Sequence, residues 1–352
     1  MYRLGENIVI HLFGTSHGPC VGCIIDGIPS DTVVSEERIA KEMELRKPKS
    51  GIGTPRAERD AVEITGLVAG KTCGVPVMLT IRNENVRSSS YAEFSRTPRP
   101  GHADLPALFR FNGYDVSGGG PFSGRLTAAL VAAGAVMKDI LEKKNIRINA
   151  FSRSIGRVVD EEPLWEYDST PFVTRARTGE LDGMMTFEIL EASERGDSVG
   201  GVVECTVTGL PLGFGGIWFE GLDVEIARAI FSIPAVKGVE FGKGFELASM
   251  NGSESNDPFI IDNGRISTDG NNMGGVLGGM SNGSPLVFRA AFKPTPSISI
   301  EQDTIDIKNM TQTKLKIKGR HDPCIVPRAV AVVEAMTAII IADQAARGGL
   351  LD

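Results

Sequence analysis

A chain of 352 residues with 41% hydrophobic and 23% charged residues can bury a large core and does not have the make-up of a disordered polypeptide. Its formal net charge of −7, carried without a long basic run, excludes general nucleic-acid binding. Glycine is the unusual quantity, 42 residues of 352 against a typical share of roughly 7%; it is aperiodic, which excludes collagen and repeat arrays, and it clusters in a few polar loops.

The opening MYRLGENIVIHLFGTSHG has no long apolar stretch and no small-residue cleavage site, so no secretory signal is expected. No window reaches ~18 uninterrupted apolar residues, so no membrane span is expected either. The cysteines are Cys20, Cys23, Cys73, Cys205 and Cys324, and an odd number of thiols without a signal predicts reduced cysteines and a cytoplasmic location.

Residues 7–13 and 20–28 read as short strands around the loop from Gly14 to Pro19. Residues 36–46 have helical spacing, with Ile39 and Met43 four apart, and Pro48 and Gly51 stop the helix. Segments 61–67 and 75–82 read as strands. Residues 83–122 form a long polar stretch rich in Ser, Arg, Pro and Gly; a compact domain seldom carries so long an aperiodic segment without a function for it. Ser123 is placed to N-cap a helix over 125–142, apolar or small on nearly every face and so expected in the centre of the fold. Strands follow at 145–158 and 198–208, a helix at 222–232, a second Gly/Asn-rich loop region at 262–284, a strand at 284–294 and a last apolar helix at 325–345. Nothing has the character of a domain linker, so residues 1–352 read as one α+β domain.

Two nucleotide motifs are excluded. GLVAGKT (66–72) has three residues between its glycines where a phosphate-binding loop needs four, and a strand pattern follows it where a helix is required. No Gly-x-Gly-x-x-Gly opens a helix after a strand. His17, Cys20 and Cys23 have conceivable metal-ligand spacing, but strand alternation points Cys20 and Cys23 to opposite faces, and we read them as core cysteines.

The four histidines are more informative. His11 lies in a strand. His17, His102 and His321 lie in the loops GTSHGP, RPGHAD and GRHDP, each bounded by Gly or Pro and each with Ser16, Asp104 or Asp322 nearby. A neighbouring carboxylate can fix a histidine's tautomer for acid–base work. Basic residues crowd the same regions: Arg46, Lys47, Lys49, Arg56 and Arg59, then Arg87, Arg96 and Arg99, then Arg320. Arg125 stands at the start of the apolar helix, where a cation opposes the macrodipole; a bound anion there would resolve the conflict. The residues by themselves predict a loop-built cleft of histidines and arginines that binds a polyanionic small molecule and moves protons.

Taken together, GTSHGPCVGCIIDGIP (14–29), PRPGHAD (98–104), GPFSGRLTAALVAAGAV (120–136), IPAVKGVEFGKGF (233–245), NNMGGVLGGMSNG (271–283), KPTPSI (293–298) and RHDPCIVPRAVAVVEAM (320–336) resemble the signatures of the chorismate synthase family, in order, from about residue 5 onwards. The resemblance implies a β-α-β sandwich with helices between antiparallel sheets, a homotetramer, and noncovalent FMN that must be reduced although the reaction has no net redox change. It implies 1,4-elimination of phosphate from 5-enolpyruvylshikimate 3-phosphate. In its terms His17 is an acid near the departing phosphate, and His102 lies near flavin N1. Asp322, with Ser16 and Ser123, assists proton removal through flavin N5. Arg46 and Arg125 hold substrate anions. Ser123, Lys293, Thr295, Ser297 and Arg320 lie on the flavin, and Ala235 and Gly278 permit its close approach. The chain departs from the family pattern at Thr15 (more often Glu), at Ile52 (often a second Arg), at Pro121 and Phe122 (usually Arg-Ser), and at His321 (often Ser), to which we assign no catalytic role. No reductase domain or nicotinamide fingerprint is present, so reduced FMN is expected from an external flavin reductase or another NADPH-dependent source.

Overall fold

The computed structural model describes residues 2–48, 51–54, 58–84, 92–112, 117–162, 171–262, 264–318 and 321–351. Two antiparallel sheets of five strands each enclose the principal helices. In the first sheet the strand order is Arg3–Leu4, Val9–Gly14, Cys20–Asp26, Val77–Arg82, Val62–Thr65. In the second it is Val236–Phe241, Leu286–Phe292, Gly201–Thr208, Arg147–Ile155, Val158–Val159. Each sheet turns one apolar face inward: Val77, Leu79 and Ile81 are buried while Met78 and Arg82 face out, the period-two pattern of a half-buried strand.

The helices are α1 (Glu36–Arg46), α2 (Asp104–Arg110), α3 (Thr127–Glu142), α4 (Gly179–Glu194), α5 (Leu222–Phe231), α6 (Gly252–Ser255) and α7 (Val326–Arg347). The Ser35 hydroxyl caps α1 by accepting from the Arg38 amide at 3.1 Å, and Glu36 and Glu37 suit the positive end of its dipole. Helix α3 leans on the first sheet, where the Cys23 thiol reaches the Ala129 carbonyl at 3.4 Å. Helix α7 leans on the second, where Glu334 accepts from the Ala150 amide at 2.7 Å. The two helices meet at Gly134, where a Cβ would fall 2.4 Å from that of Ala335; only glycine allows this approach. Lys138 of α3 bridges Glu42 of α1 (2.9 Å) and Glu334 of α7 (2.6 Å) within the core. By length and composition α7 alone among the described helices could cross a membrane, but it is the buried centre of the fold. The expected α+β sandwich is thus observed, with its helices paired between the sheets.

Several local expectations are corrected. Ser123 does not cap the long helix directly. It caps a 3-10 turn, Gly124–Leu126, by accepting from the Arg125 amide at 3.3 Å, and α3 starts only at Thr127. The 83–122 stretch is not wholly irregular: it contains α2 and the 3-10 turns Ala92–Ser95 and Ser117–Phe122. The 262–284 region contains the strand Arg265–Thr268 and the hairpin Val276–Leu277/Met280–Ser281. Helix α4 and the hairpin Gln302–Asp306/Thr311–Leu315 were not anticipated from the sequence.

Candidate active site

The C-terminus of α1 and the N-termini of α3 and α7 come together at one end of the sandwich, and the polar loops collect there. Arg46, in the last turn of α1, is buried. Its Nε donates to Thr127 Oγ1 at 3.0 Å and its Nη2 to the Gly124 carbonyl at 3.0 Å. Asp60 stands between two guanidinium groups: Oδ1 accepts from Arg125 Nη1, and Oδ2 lies 3.5 Å from Arg46 Nη1. Glu58 adds a second carboxylate 3.3 Å from Arg125 Nη2. The conflict anticipated at Arg125 is therefore met in part by the protein's own acids.

Arg125 also donates through Nε to Asn83 Oδ1 at 2.9 Å. The Asn83 amide nitrogen then holds the carbonyls of Thr15 (3.0 Å) and Gly18 (2.8 Å), and so braces the turn that carries Ser16 and His17. Ser16 is buried and His17 half-buried. Asp322, preceding α7, accepts from the Thr54 amide at 2.6 Å and from Arg328 Nη1 at 2.5 Å. Arg328 Nε reaches back to the Arg46 carbonyl at 3.3 Å. Burial first, then the Arg328 and Arg125 charges, bring the Arg46 guanidinium down to about 9, while Asp60 and Asp322 oppose them. The group stays cationic at neutral pH.

A second group of residues forms the loop 98–104. Asp104 is wholly buried, and both its oxygens accept from Arg99, Nε at 2.7 Å and Nη2 at 2.8 Å. His102 Nδ1 lies 2.7 Å from Asp104 Oδ1. Burial alone would raise the Asp104 carboxyl, but the hydrogen bonds and charges of Arg99 and His102 hold it well below the usual carboxylate range. Arg99 Nη1 donates to Ser297 Oγ at 3.2 Å. A Cβ on Gly119 would lie 3.5 Å from His102 Nε2 and 3.9 Å from Ser123 Cβ, so this glycine sits directly between the two side chains. Thr295 Oγ1 donates to the Asp322 carbonyl at 2.5 Å, which joins this group to the first.

The structure thus brings together His17, Ser16, His102, Ser123, Arg46, Arg125, Asp322, Thr295 and Ser297. Lys293 lies two residues before Thr295, and its amide donates to the Ala235 carbonyl at 3.0 Å, which brings Ala235 beside it. Gly278 is not brought there. It turns the hairpin beyond Leu286, at the opposite end of the strand Leu286–Phe292 from Lys293, about 20 Å away at ~3.3 Å per residue. Arg320, Lys49, Arg56 and Arg87 lie outside the described residues. Of the other basic residues, Lys47 pairs with Glu44 at 2.7 Å, Arg59 is exposed and Arg96 pairs with Asp306 at 2.5 Å on the surface.

His11 is exposed, and burial lowers the His321 imidazole. No cluster of three metal-ligating side chains occurs among the described residues. Burial pushes the Cys23 thiol up to about 12, the state of a core cysteine. Ile52 is buried and lines a small cavity with Arg175, Cys324 and Arg328. Phe122 stacks obliquely on Phe111 at 6.5 Å. Sequence reasoning missed Glu58, Asp60, Asn83 and Arg328 because each earns its place through a partner distant in the chain. It noted Arg99 and Asp104 without foreseeing their pairing.

The residues present fit an anionic cofactor. Among the described residues neither Lys293 nor Lys237 has a carboxylate partner, and the Lys293 ammonium is lowered by burial and by the Lys237 charge. A phosphate group placed there would relieve both effects.

Fold and site together define an enzyme that handles small polyanions and moves protons in a cleft of arginines and histidines. The family model described as chorismate synthase matches residues 8–346. The chorismate synthase of Thermococcus kodakarensis is 46% identical over 345 residues, covering 97% of this chain and 97% of the relative. That of Dehalococcoides mccartyi is 45% identical over 355 residues, covering 99% and 97%. A crystal structure of chorismate synthase superposes with a TM-score of 0.75 at 31% identity, covering 98% of this chain and 93% of its own. The chain belongs to the chorismate synthase family.

Proposed function

We propose that this chain carries out the elimination its family is named for, converting 5-enolpyruvylshikimate 3-phosphate to chorismate and phosphate as a carbon–oxygen lyase. The observation that carries this reading is the joining of the Arg46–Asp60–Arg125 cluster to the His17 turn, the His102 loop and Asp322 in one bonded set. The substrate bears two carboxylates and a phosphate, and Arg46 and Arg125 supply the positive field that holds them. In this reading His17 is the acid for the departing phosphate. Asp322, with Ser16 and Ser123, would assist removal of the ring proton through flavin N5. The cofactor is reduced FMN, which supplies electron density to the substrate and recovers it within the same turnover. Lys293 would hold its phosphate, Ser123, Thr295 and Ser297 would flank it, and His102 would lie near its ring; Arg320, also expected on the flavin, lies outside the described residues.

Reduced FMN comes from an external flavin reductase or another NADPH-dependent source. We read the chain as one domain of a cytoplasmic homotetramer. The exposed Trp218, Phe219, Phe259 and Ile261 support assembly. In a tetramer Gly278 would approach a flavin only from a neighbouring copy. His17→Ala and His102→Ala test the assignment: each is expected to cost about 10²–10⁴-fold in turnover. Near-wild-type rates in both would remove the two histidines from the reaction.

A further inference from the structure

The hydrogen bonds around Asp104 fix more than the position of a loop. Asp104 Oδ2 accepts from Arg99 Nε at 2.7 Å and from the Arg99 amide at 3.2 Å. Asp104 Oδ1 accepts from Arg99 Nη2 at 2.8 Å and faces His102 Nδ1 at 2.7 Å. Three Arg99 donors hold Asp104 as a carboxylate, and the lone-pair site that remains on Oδ1 faces Nδ1. A lone pair on His102 Nδ1 would face the carboxylate oxygen at hydrogen-bond distance and be repelled. Nδ1 therefore carries the hydrogen, and the 3.1 Å approach of Arg99 Nη2 to Nδ1 is a by-product of both groups donating to the same oxygen.

Arg99 is fixed in turn. Its guanidinium lies 4.5 Å over the Phe94 ring, and Phe94 packs with Leu315 and Ile317 in a small core separate from the main one. The Thr304 hydroxyl donates to the Pro98 carbonyl at 2.6 Å and secures the start of the loop. None of the groups in this chain of contacts is the histidine itself, yet each restricts it.

We propose that Asp104, clamped by Arg99, is a positioning residue that locks His102 in the Nδ1–H form and leaves Nε2 as its working atom, turned toward Gly119 and Ser123. Among the described residues nothing hydrogen-bonds to Nε2. The neutral ring offers an acceptor there and the charged ring a donor, so one atom can take or give a proton without the ring turning. Through Ser297, Arg99 ties this orientation to the Lys293–Ser297 segment. This deepens the reading of His102 given above, but it concerns the chain without any ligand and can fail while that reading stands.

The test uses the full-length protein labelled with ¹⁵N at histidine. Four histidines give few signals, and His102→Gln identifies the one required. The expected spectrum of the neutral ring has a protonated Nδ1 and an unprotonated Nε2 at His102 in the wild type, which needs no variant to fold. In Asp104→Asn the signal should move toward the Nε2–H form that free histidine side chains favour. Its kcat should fall by ~10²-fold, the lower end of the cost of losing a general acid or base, with KM nearly unchanged. Arg99→Lys keeps the buried charge but loses the fork, and should move the same signal less far, which covers the case in which Asp104→Asn does not fold. An Nε2–H tautomer in the wild type would overturn the proposal. So would a His102 spectrum unmoved in folded Asp104→Asn or in Arg99→Lys. Absence of chorismate formation with the expected spectrum would count against the assigned reaction and leave the clamp intact.

Discussion

The histidine loop and the arginine cluster meet at one site but are built on opposite electrostatic plans. In the loop, one guanidinium and one carboxylate satisfy each other, every carboxylate lone pair is used, and a small separate core holds the pair still. In the cluster, burial first and then the Arg328 and Arg125 charges bring Arg46 down to about 9, against the pull of Asp60 and Asp322. The first arrangement fixes a geometry before any ligand arrives. The second shares Asp60 between Arg125 and Arg46, so that Arg46 has no carboxylate of its own and can take a ligand's anion. The difference teaches that closure and incompleteness can be told apart by whether the donors and acceptors balance.

Removing a cation should disturb the cluster most. Arg125→Ala leaves Asp60 buried beside Arg46 alone and should cost about 3–5 kcal/mol of stability, read by urea denaturation. Asp60→Ala added to it should return part of that loss, because the two residues share one interaction. Asn83→Ala comes next. It frees the carbonyls of Thr15 and Gly18 and should destabilise by about 1–3 kcal/mol, with activity falling further than stability accounts for because the His17 turn loses its brace.

The loop should be sharpest in its response to acid. A carboxyl whose folded pKa is depressed contributes stability that is complete above its unfolded value of ~3.9 and is lost as pH falls through the folded value. Asp104 is such a group. Below about pH 4 the wild type should lose stability more steeply than Asp104→Asn, and parallel pH profiles of melting temperature would contradict the clamp. The smallest expected effect concerns the thiols. Cys23 and Cys324 are pushed up to about 12 by burial, whereas Cys73 is exposed. Alkylation under native conditions should label Cys73 first, without loss of activity, and reach the buried pair only on unfolding.

Much of the frame was legible in the sequence because its signals are local. The span 36–46 is the helix observed, read from the spacing of Ile39 and Met43 and from Pro48 and Gly51 beyond it. The two core helices announced themselves by being apolar on all sides. Helix α4 did not, since GELDGMMTFEILEASE has two glycines and leaves Met184, Phe187 and Leu190 exposed, so no single apolar stripe marks it. At the site, residue types inside Gly- and Pro-bounded loops pointed to His17, His102 and His321, and the family resemblance to Asp322. Their partners could not be read. Asp60 meets Arg125 across 65 positions and Thr54 meets Asp322 across 268, and such pairings exist only once the sandwich has closed.

The measurement that tests the account most directly is an anaerobic assay of the purified wild-type protein with 5-enolpyruvylshikimate 3-phosphate and chemically reduced FMN. The account predicts chorismate and phosphate in equal amounts, with no product when the FMN is oxidised. Reduced FMN bound without product, or product formed equally well with oxidised FMN, would contradict it.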